Sequence, residues 1–413
     1  MGNNMRERFK KYCDVISGYA FKSEDLLDEG EVPIVKIGNI SNGGDIIIDD
    51  STQYVSDDFL QINEKYHIRK RDILISLTGS HINQPNSMVG RTCRSYSDRE
   101  YLLNQRAGKV IPHNKNTADY LYYLLSSKSI QENIVTRAYG AANQVNISPS
   151  AIENIKWEFP NNDTQKKIGS MLSLFDELIV VNNKRIMIFE KMAENLYKEW
   201  FVRFRFPGYE NTEFESGIPK DWKSYSIKDL CDINKYSLNV KDKDKTITYL
   251  DTGSLTENKI DGLEDYEISE APSRARRLVK KDSILFSTVR PKLRHYGILK
   301  DVTENLVVST GFAVFDVKYD IANIIYLFIS SNAVVDYCQT IAEGAVATYP
   351  SIKPEEIGRL KVLLPPLEVA EKLNSQLERI YKIKDILEKK NSILIKQRDL
   401  FLPRLMSGKL EVK

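Results

Sequence analysis

This chain writes one pattern twice, and a chain that repeats itself is committed to folding as two copies of one unit. The first copy closes with Ala118-Asp119-Tyr120-Leu121-Tyr122-Tyr123-Leu124-Leu125-Ser126-Ser127, then Gly140-Ala141, Ile152, Ile155 and Pro160. The second closes with Asn323-Ile324-Ile325-Tyr326-Leu327-Phe328-Ile329-Ser330-Ser331, then Gly344-Ala345, Ile357, Leu360 and Pro365. In each copy a mixed segment gives way to a Pro-bounded short strand and then to a long helix with heptad spacing. Twin modules on a rigid connector suit a target made of two similar objects at a fixed separation, as half-sites on a DNA duplex are.

Within the first copy, strand-like runs fall at residues 32–37, 73–77 and 107–111, followed by a short helix over 120–127. The second copy keeps the order, with strands at 247–250, 284–287 and 312–317 and a helix from Ile324. Turn residues separate the runs. Strands interrupted by helices, without a regular βαβ alternation, point to an α+β module rather than a doubly wound sheet.

Two helical segments carry the clearest periodicity. After Pro160, Asn161-Asn162-Asp163-Thr164 supplies capping side chains and an acidic first turn. Ile168, Leu172, Phe175, Ile179, Asn182, Ile186, Phe189, Ala193, Leu196 and Trp200 then recur at alternating steps of four and three, a coiled-coil seam over nearly five heptads. Such a helix would be about 55 Å long. The tail behaves alike through Leu373, Leu377, Ile380, Ile383, Leu387, Asn391 and Leu394. Each helix has one apolar stripe to hide, so an antiparallel pair within one chain follows. Asn182 and Asn391 interrupt the seams at similar depths. They are either polar residues tolerated at a solvated edge or a buried pair that fixes register, and we take the second reading. The expected architecture is α+β and pseudo-two-fold, two similar globular modules (1–160 and 207–365) separated by two long antiparallel coiled-coil helices (161–206 and 366–413).

Composition narrows the function. At 413 residues the chain admits two to three domains, each able to bury a core. No apolar run approaches the roughly 20 residues of a membrane span, and the N-terminus lacks a secretory apolar core; a cytoplasmic protein is expected. The four cysteines, Cys13, Cys93, Cys231 and Cys338, form no CxxC pair and read as buried thiols. Cys13 and Cys231 each precede Asp and a β-branched residue, so they are expected at equivalent places in the two copies. The four scattered histidines offer no metal-ligand spacing.

Charge is nearly balanced, 59 basic against 57 acidic residues, which argues against a protein that coats nucleic acid indiscriminately. Local clusters remain. Between Arg274 and Arg294 lie eight basic residues (Arg274, Arg276, Arg277, Lys280, Lys281, Arg290, Lys292 and Arg294) against one acid, Asp282. A smaller set, Lys65, Arg69, Lys70, Arg71, Arg91 and Arg94, stands at the matching place in the first copy. Any one of these residues by itself reads better as part of a solvated face; two clusters at matching places point to an anionic partner. Specific recognition also needs polar side chains that reach base edges. Thr78, Ser80, His81, Asn83 and Gln84 occupy a polar turn after a strand, near Arg91 and Arg94, and Asn143-Gln144 follows Gly140 in a second loop. In the second copy Thr288, Arg290, Lys292, Arg294 and His295 hold the matching turn, with Arg274 and Arg276 before it and Thr348 and Tyr349 after Gly344. Asn and Gln pair bidentately with adenine, Arg with guanine.

These residues resemble the DNA-specificity subunits of type I restriction–modification systems over essentially the whole chain. Ser17-Gly18-Tyr19-Ala20-Phe21-Lys22-Ser23 is similar to the opening of a first target-recognition domain, and Gly217-Ile218-Pro219-Lys220-Asp221-Trp222 to the Pro-x-x-Trp entry of a second. Asp282 to Pro291 resembles the family's strand and turn before a basic loop, and Gln165 to Phe201 its central helical region. The first copy departs from the pattern, with Leu77-Thr78-Gly79-Ser80-His81 where the second has Thr288-Val289-Arg290-Pro291, so the two modules are expected to contact different bases. The resemblance implies a subunit without chemistry of its own that binds double-stranded DNA at two half-sites flanking an unspecified spacer. Two adenine-N6 methyltransferase subunits using S-adenosylmethionine would sit on it. A restriction/translocase subunit, with ATP and Mg, could join them. The residues agree: there is no Asn-Pro-Pro-aromatic or Asp-Pro-Pro-Tyr motif, no Gly-x-Gly and no Walker A sequence. The rival from another class is a coiled-coil interaction protein that joins two protein-binding modules.

Overall fold

A computed structural model describes residues 6–49, 51–81, 84, 87–141, 144–238, 245–345 and 350–412. The chain divides into two compact units, one of residues Met1–Asn183 with Lys389–Lys413 and the other of Lys184–Glu388. The division falls within both long helices, so each unit contains one globular module and a segment of each helix.

Two small sheets build the first module. In one, Ile73–Ser76 lies between Ala107–Pro112 and Thr92–Arg94, and Cys13–Ser17 completes the edge beyond Ala107–Pro112; all pairs are antiparallel. Both faces of Ile73–Ser76 are buried, which explains its unbroken apolar run. Alternation along it sends Ile73 and Ile75 into a cluster with the following helices, and Leu74 into a cluster with the second sheet. That second sheet runs Tyr54–Val55, Val32–Val35, Tyr101–Leu103, His67–Ile68, with one parallel pair, Val32–Val35 against Tyr101–Leu103. Helices Ala118–Ser126 and Lys128–Arg137 cover the first sheet.

The second module repeats this topology strand for strand. Its first sheet runs Cys231–Ile233, Phe312–Val317, Ile284–Ser287, Tyr296–Ile298, all antiparallel. Here too Ile284 and Phe286 face the helical cluster while Leu285 faces the second sheet. The second sheet runs Glu264–Glu267, Thr246–Leu250, Leu306–Ser309, Ala275–Leu278 and again has a single parallel pair, Thr246–Leu250 with Leu306–Ser309. Cys13 pairs with Pro112 and Cys231 with Val317, each the last residue of its partner strand, so the two thiols hold equivalent places. All four cysteines are free and buried, and burial pushes the Cys13, Cys231 and Cys338 thiols up to about 12.

The two heptad segments form helices Asn162–Phe201 and Leu367–Met406. Asn161 accepts the Thr164 amide at 2.9 Å, the N-cap its position implies. In the first unit, Leu172 is fully buried with Ile168, Leu405 and Met406, and Phe175 meets Phe401 at 6.0 Å. Asp176 binds Arg398 at 2.6 Å. Asn182 donates to Asn391 at 2.8 Å, and Asn391 donates in turn to Asn183 at 2.7 Å. Rising numbers on one helix meet falling numbers on the other, so the segments are antiparallel. A buried amide pair that is hydrogen-bonded in one register only penalises every slipped one. Gly169 lies where a Cβ would stand 2.5 Å from the Tyr120 nitrogen, so its cost in helix propensity permits the close approach of Ala118–Ser126.

In the second unit Ala193, Trp200, Leu373, Leu377 and Tyr381 share the core, and Leu387 is buried. Ile186, Phe189 and Ile380 are half-buried along the same faces, and in the first unit Ile179 and Leu394 are half-buried too. One seam position differs from expectation. Ile383 is exposed, and the buried position is Lys384, whose ammonium binds Glu190 at 2.9 Å and Glu388 at 3.4 Å. An apolar pattern misses a lysine that two carboxylates make tolerable inside.

Candidate nucleic-acid interface

In both modules the turn after the central strand is stitched to the loop after the helical hairpin. In the first, Thr78–Gly79 pairs with Gln144–Asn146, which pairs with Tyr139–Ala141, and the Ile147 amide donates to the Leu77 carbonyl at 2.9 Å. In the second, Val289 bridges Ser351, and the Ile352 amide donates to the Thr288 carbonyl at 2.8 Å. Two segments far apart in sequence are thereby made neighbours, in the same way, in each copy.

The first module sorts its candidate readers into two sets. His81, Gln84 and Gln144 are exposed. Thr78 and Ser80 are buried. The Thr78 hydroxyl donates to Asn146 Oδ1 at 2.8 Å and the Ser80 hydroxyl to the Gln84 carbonyl at 3.0 Å, so both hold the turn's shape. Asn83 and Asn143 lie outside the described residues. Arg91 and Arg94 differ from the expectation of groove-facing cations. Arg91 is buried and donates to the Ile37 carbonyl at 2.8 Å. Arg94 is 1% exposed, binds Asp119 at 2.7 Å and stacks 4.3 Å above the Tyr122 ring. A guanidinium removed from water requires such partners and gives them up at a high cost. Two members of the nearby basic cluster stay at the surface in exposed ion pairs, Lys70 with Asp98 at 2.9 Å and Arg71 with Glu177 at 2.9 Å.

Among its candidate readers the second module keeps more of its cations exposed. Arg274, Arg290 and Lys292 are exposed, while Arg276 is half-buried and donates to the Ala275 carbonyl at 3.0 Å. Thr288 is half-buried, its hydroxyl donating to the Gly311 carbonyl at 2.8 Å. Arg294 is half-buried and binds Glu257 at 3.3 Å and Asn332 at 2.9 Å, which makes it a clamp at the end of the loop. Arg290 and Arg294 flank the single turn Pro291–Leu293 with left-handed backbones, φ 45° and 57°. That conformation costs a non-glycine residue roughly 1–2 kcal/mol, so the loop's shape is imposed by its surroundings. Thr348 and Tyr349 lie outside the described residues.

Sequence reasoning passed over Tyr139, which is 65% exposed beside Gly140 on the strand paired with the Gln144 segment. The Tyr139-Gly140 pair was the available signal, and the structure gives Gly140 a φ of 137°. Among the described residues no group of three His, Cys, Asp or Glu side chains could hold a metal ion, and no single helix is long and apolar enough to cross a membrane.

Two topologically matching modules, each with a stitched pair of polar loops and each attached to heptad helices, define a tandem recognition protein. The chain belongs to the family of the type I restriction modification DNA specificity domain, which matches residues 8–188 and again 219–397. It is similar to the MjaIX specificity subunit of Methanocaldococcus jannaschii, 25% identical over 75% of this chain and 73% of that protein. The MjaVIII specificity subunit of the same organism is 25% identical over 88% of this chain and 86% of its own length. In fold it resembles the S subunit of a type I restriction–modification system from M. genitalium, with a TM-score of 0.57 and 17% identity over 98% of this chain and 97% of that one. Specificity subunits are non-catalytic targeting subunits, and this chain is accordingly a targeting protein with two target-recognition domains, not an enzyme.

Proposed function

We propose that this chain reads a bipartite DNA target, one half-site per module, and scaffolds two adenine-N6 methyltransferase subunits, with a restriction/translocase subunit able to join. In this reading residues 1–160 and 207–365 are the recognition domains and 161–206 and 366–413 the helical connectors. The repeated stitching of two loops beside one sheet carries the reading, because it supplies two separate surfaces of the same construction. Their chemistry differs. His81, Gln84, Gln144 and Tyr139 offer neutral hydrogen bonding and a ring, whereas Arg274, Arg290 and Lys292 offer positive charge, so the half-sites differ as well. S-adenosylmethionine, ATP and Mg belong to the partner subunits.

Scaffolding is supported by apolar side chains that the helix pairs leave uncovered. In the first unit Leu174, Leu178 and Val181 are exposed at steps of four and three, and in the second Ile188 and Met192 are exposed at a step of four. Apolar stripes of this kind on a helix mark a surface for another helix. The deciding experiment is methyladenine mapping in cells expressing this chain with its methyltransferase. A two-part motif with a fixed spacer is expected, and exchanging residues 1–160 for another recognition domain changes one part only. A contiguous motif, or a change in both parts, refutes the reading. Lengthening both helices by equal insertions within 180–191 and its partner segment changes the spacer and leaves both half-sites as they were. Duplex binding without sequence preference, with or without the methyltransferase, returns the protein to the coiled-coil interaction class.

A further inference from the structure

Two positions on one helix face break the correspondence between the modules: the first buries Gln131 where the second buries Val335, and Val135 where the second buries Gln339. Aligning Ser126-Ser127 with Ser330-Ser331 superposes the buried face of Lys128–Arg137 (Ile130, Gln131, Ile134 and Val135) on Val334, Val335, Cys338 and Gln339. Where the first module buries a valine, the second buries an amide, 8% exposed. An amide inside a protein is tolerated when its hydrogen bonds are made, and this one makes two. Its Oε1 accepts the Lys292 backbone amide at 3.1 Å, and its Nε2 donates to Glu343 at 2.8 Å. The first of these reaches the middle of the single turn Pro291–Leu293 between the left-handed residues Arg290 and Arg294.

We infer that Gln339 is a positioning residue for base recognition in the second module: it holds the Lys292 backbone so that Arg290 and Lys292 meet the DNA in one geometry. The inference rests on the DNA-reading function proposed above. The loop's ends have their own anchors. The Arg290 amide donates to the Pro350 carbonyl at 3.0 Å, and Arg294 is clamped by Glu257 and Asn332. Between them the Gln339 side chain is the tie from helix Asn332–Ala345 to Lys292, and it contributes no charge of its own to the interface. Removing it unties the Lys292 backbone from the helix while leaving every cation in the sequence. Phosphate attraction therefore persists and discrimination between bases falls, since base contacts need fixed geometry and phosphate contacts do not.

The test uses the complete complex of this chain with its methyltransferase subunits, and duplexes carrying the mapped target or single-base changes in either half-site. Gln339→Val, copying the residue that fills this place in the first module, is expected to reduce the ratio of matched to mismatched affinity in the second half-site roughly tenfold. Discrimination in the first half-site and the salt dependence of binding stay as in the wild type. The double exchange Gln339→Glu with Glu343→Gln keeps an acceptor for Lys292 and a hydrogen bond between the two side chains, so it restores the ratio. A merely structural role predicts loss in both half-sites or no rescue. An unchanged ratio in Gln339→Val, or failure of the double exchange to restore it, overturns the inference. A wild-type complex that shows no sequence preference at all would instead sink the DNA-reading function on which it stands.

Discussion

Replacing Asp176 with alanine should destabilise the first unit more than any surface change can. Its carboxylate is 4% exposed and accepts three hydrogen bonds: Tyr123 at 2.6 Å, Tyr96 at 3.1 Å and Arg398 at 2.6 Å. The Arg398 side chain is itself only 13% exposed. Truncating one member of a buried ion pair strands the other, at about 3–5 kcal/mol. Arg398 keeps Asp399 at 2.9 Å and the Gly43 carbonyl at 3.3 Å, which favours the lower end. Because two units need not unfold in one step, the suitable assay is hydrogen exchange followed by peptide. Amides in Ala107–Pro112 and Ala118–Ser126 should exchange faster by roughly two to three decades, with Ile284–Ser287 of the other unit as the internal reference. The paired change Asp176→Leu with Arg398→Met should recover only the part of the loss due to the stranded charge, because the buried Tyr123 and Tyr96 hydroxyls still lack their acceptor. Acceleration below about threefold in the single variant would refute the account of this pair as a buried anchor.

Three further outcomes follow from the interior. Burial raises the Glu378 pKa, but hydrogen bonds from Lys300 and Asn323 outweigh it and hold the carboxyl below its usual 4.5. A depressed folded value means its stabilisation is complete above about 4.5 and is lost as pH falls through the lower folded pKa. Glu378→Gln should therefore flatten the acid limb of the second unit's stability curve, and an unaltered limb counts against the assignment. Gly169→Ala raises helix propensity yet should destabilise the first unit by about 1–3 kcal/mol through overpacking on Tyr120, measured by urea denaturation; a neutral or stabilising result shows that the contact yields. With thiols at about 12, the native protein should react with a disulfide reagent at pH 8 far more slowly than the unfolded chain, which exposes all four cysteines; rapid native labelling of Cys13 or Cys231 would contradict their burial.

How much of the site was legible depended on what each residue had to meet. That His81, Gln84, Gln144, Arg274, Arg290 and Lys292 are exposed could be read from turn position and charge alone, because a loop residue's exposure is largely local. The burial of Arg94 could not. Its side chain fits a basic patch in sequence, and only Asp119 and Tyr122, brought up by the helix packed on the sheet, turn it inward. Thr78 and Ser80 were drawn into holding the turn by Asn146 and Gln84 in the same manner. Lys384 escaped because a heptad count scores apolar side chains, and its burial is licensed by Glu190 on the other helix.

The sequence by itself determined that there are two copies, where their principal strands and helices lie, and that two heptad stripes must find each other. These are set by periodicity and by punctuation, which act over a few residues. The tertiary structure decided which strands are neighbours, that the single parallel pair recurs in both second sheets, and which polar side chains turn inward. Those outcomes depend on partners tens to hundreds of positions away, such as Asn391 for Asn182 or Asp119 for Arg94, and a polar group's place is fixed only when its hydrogen-bonding partner arrives.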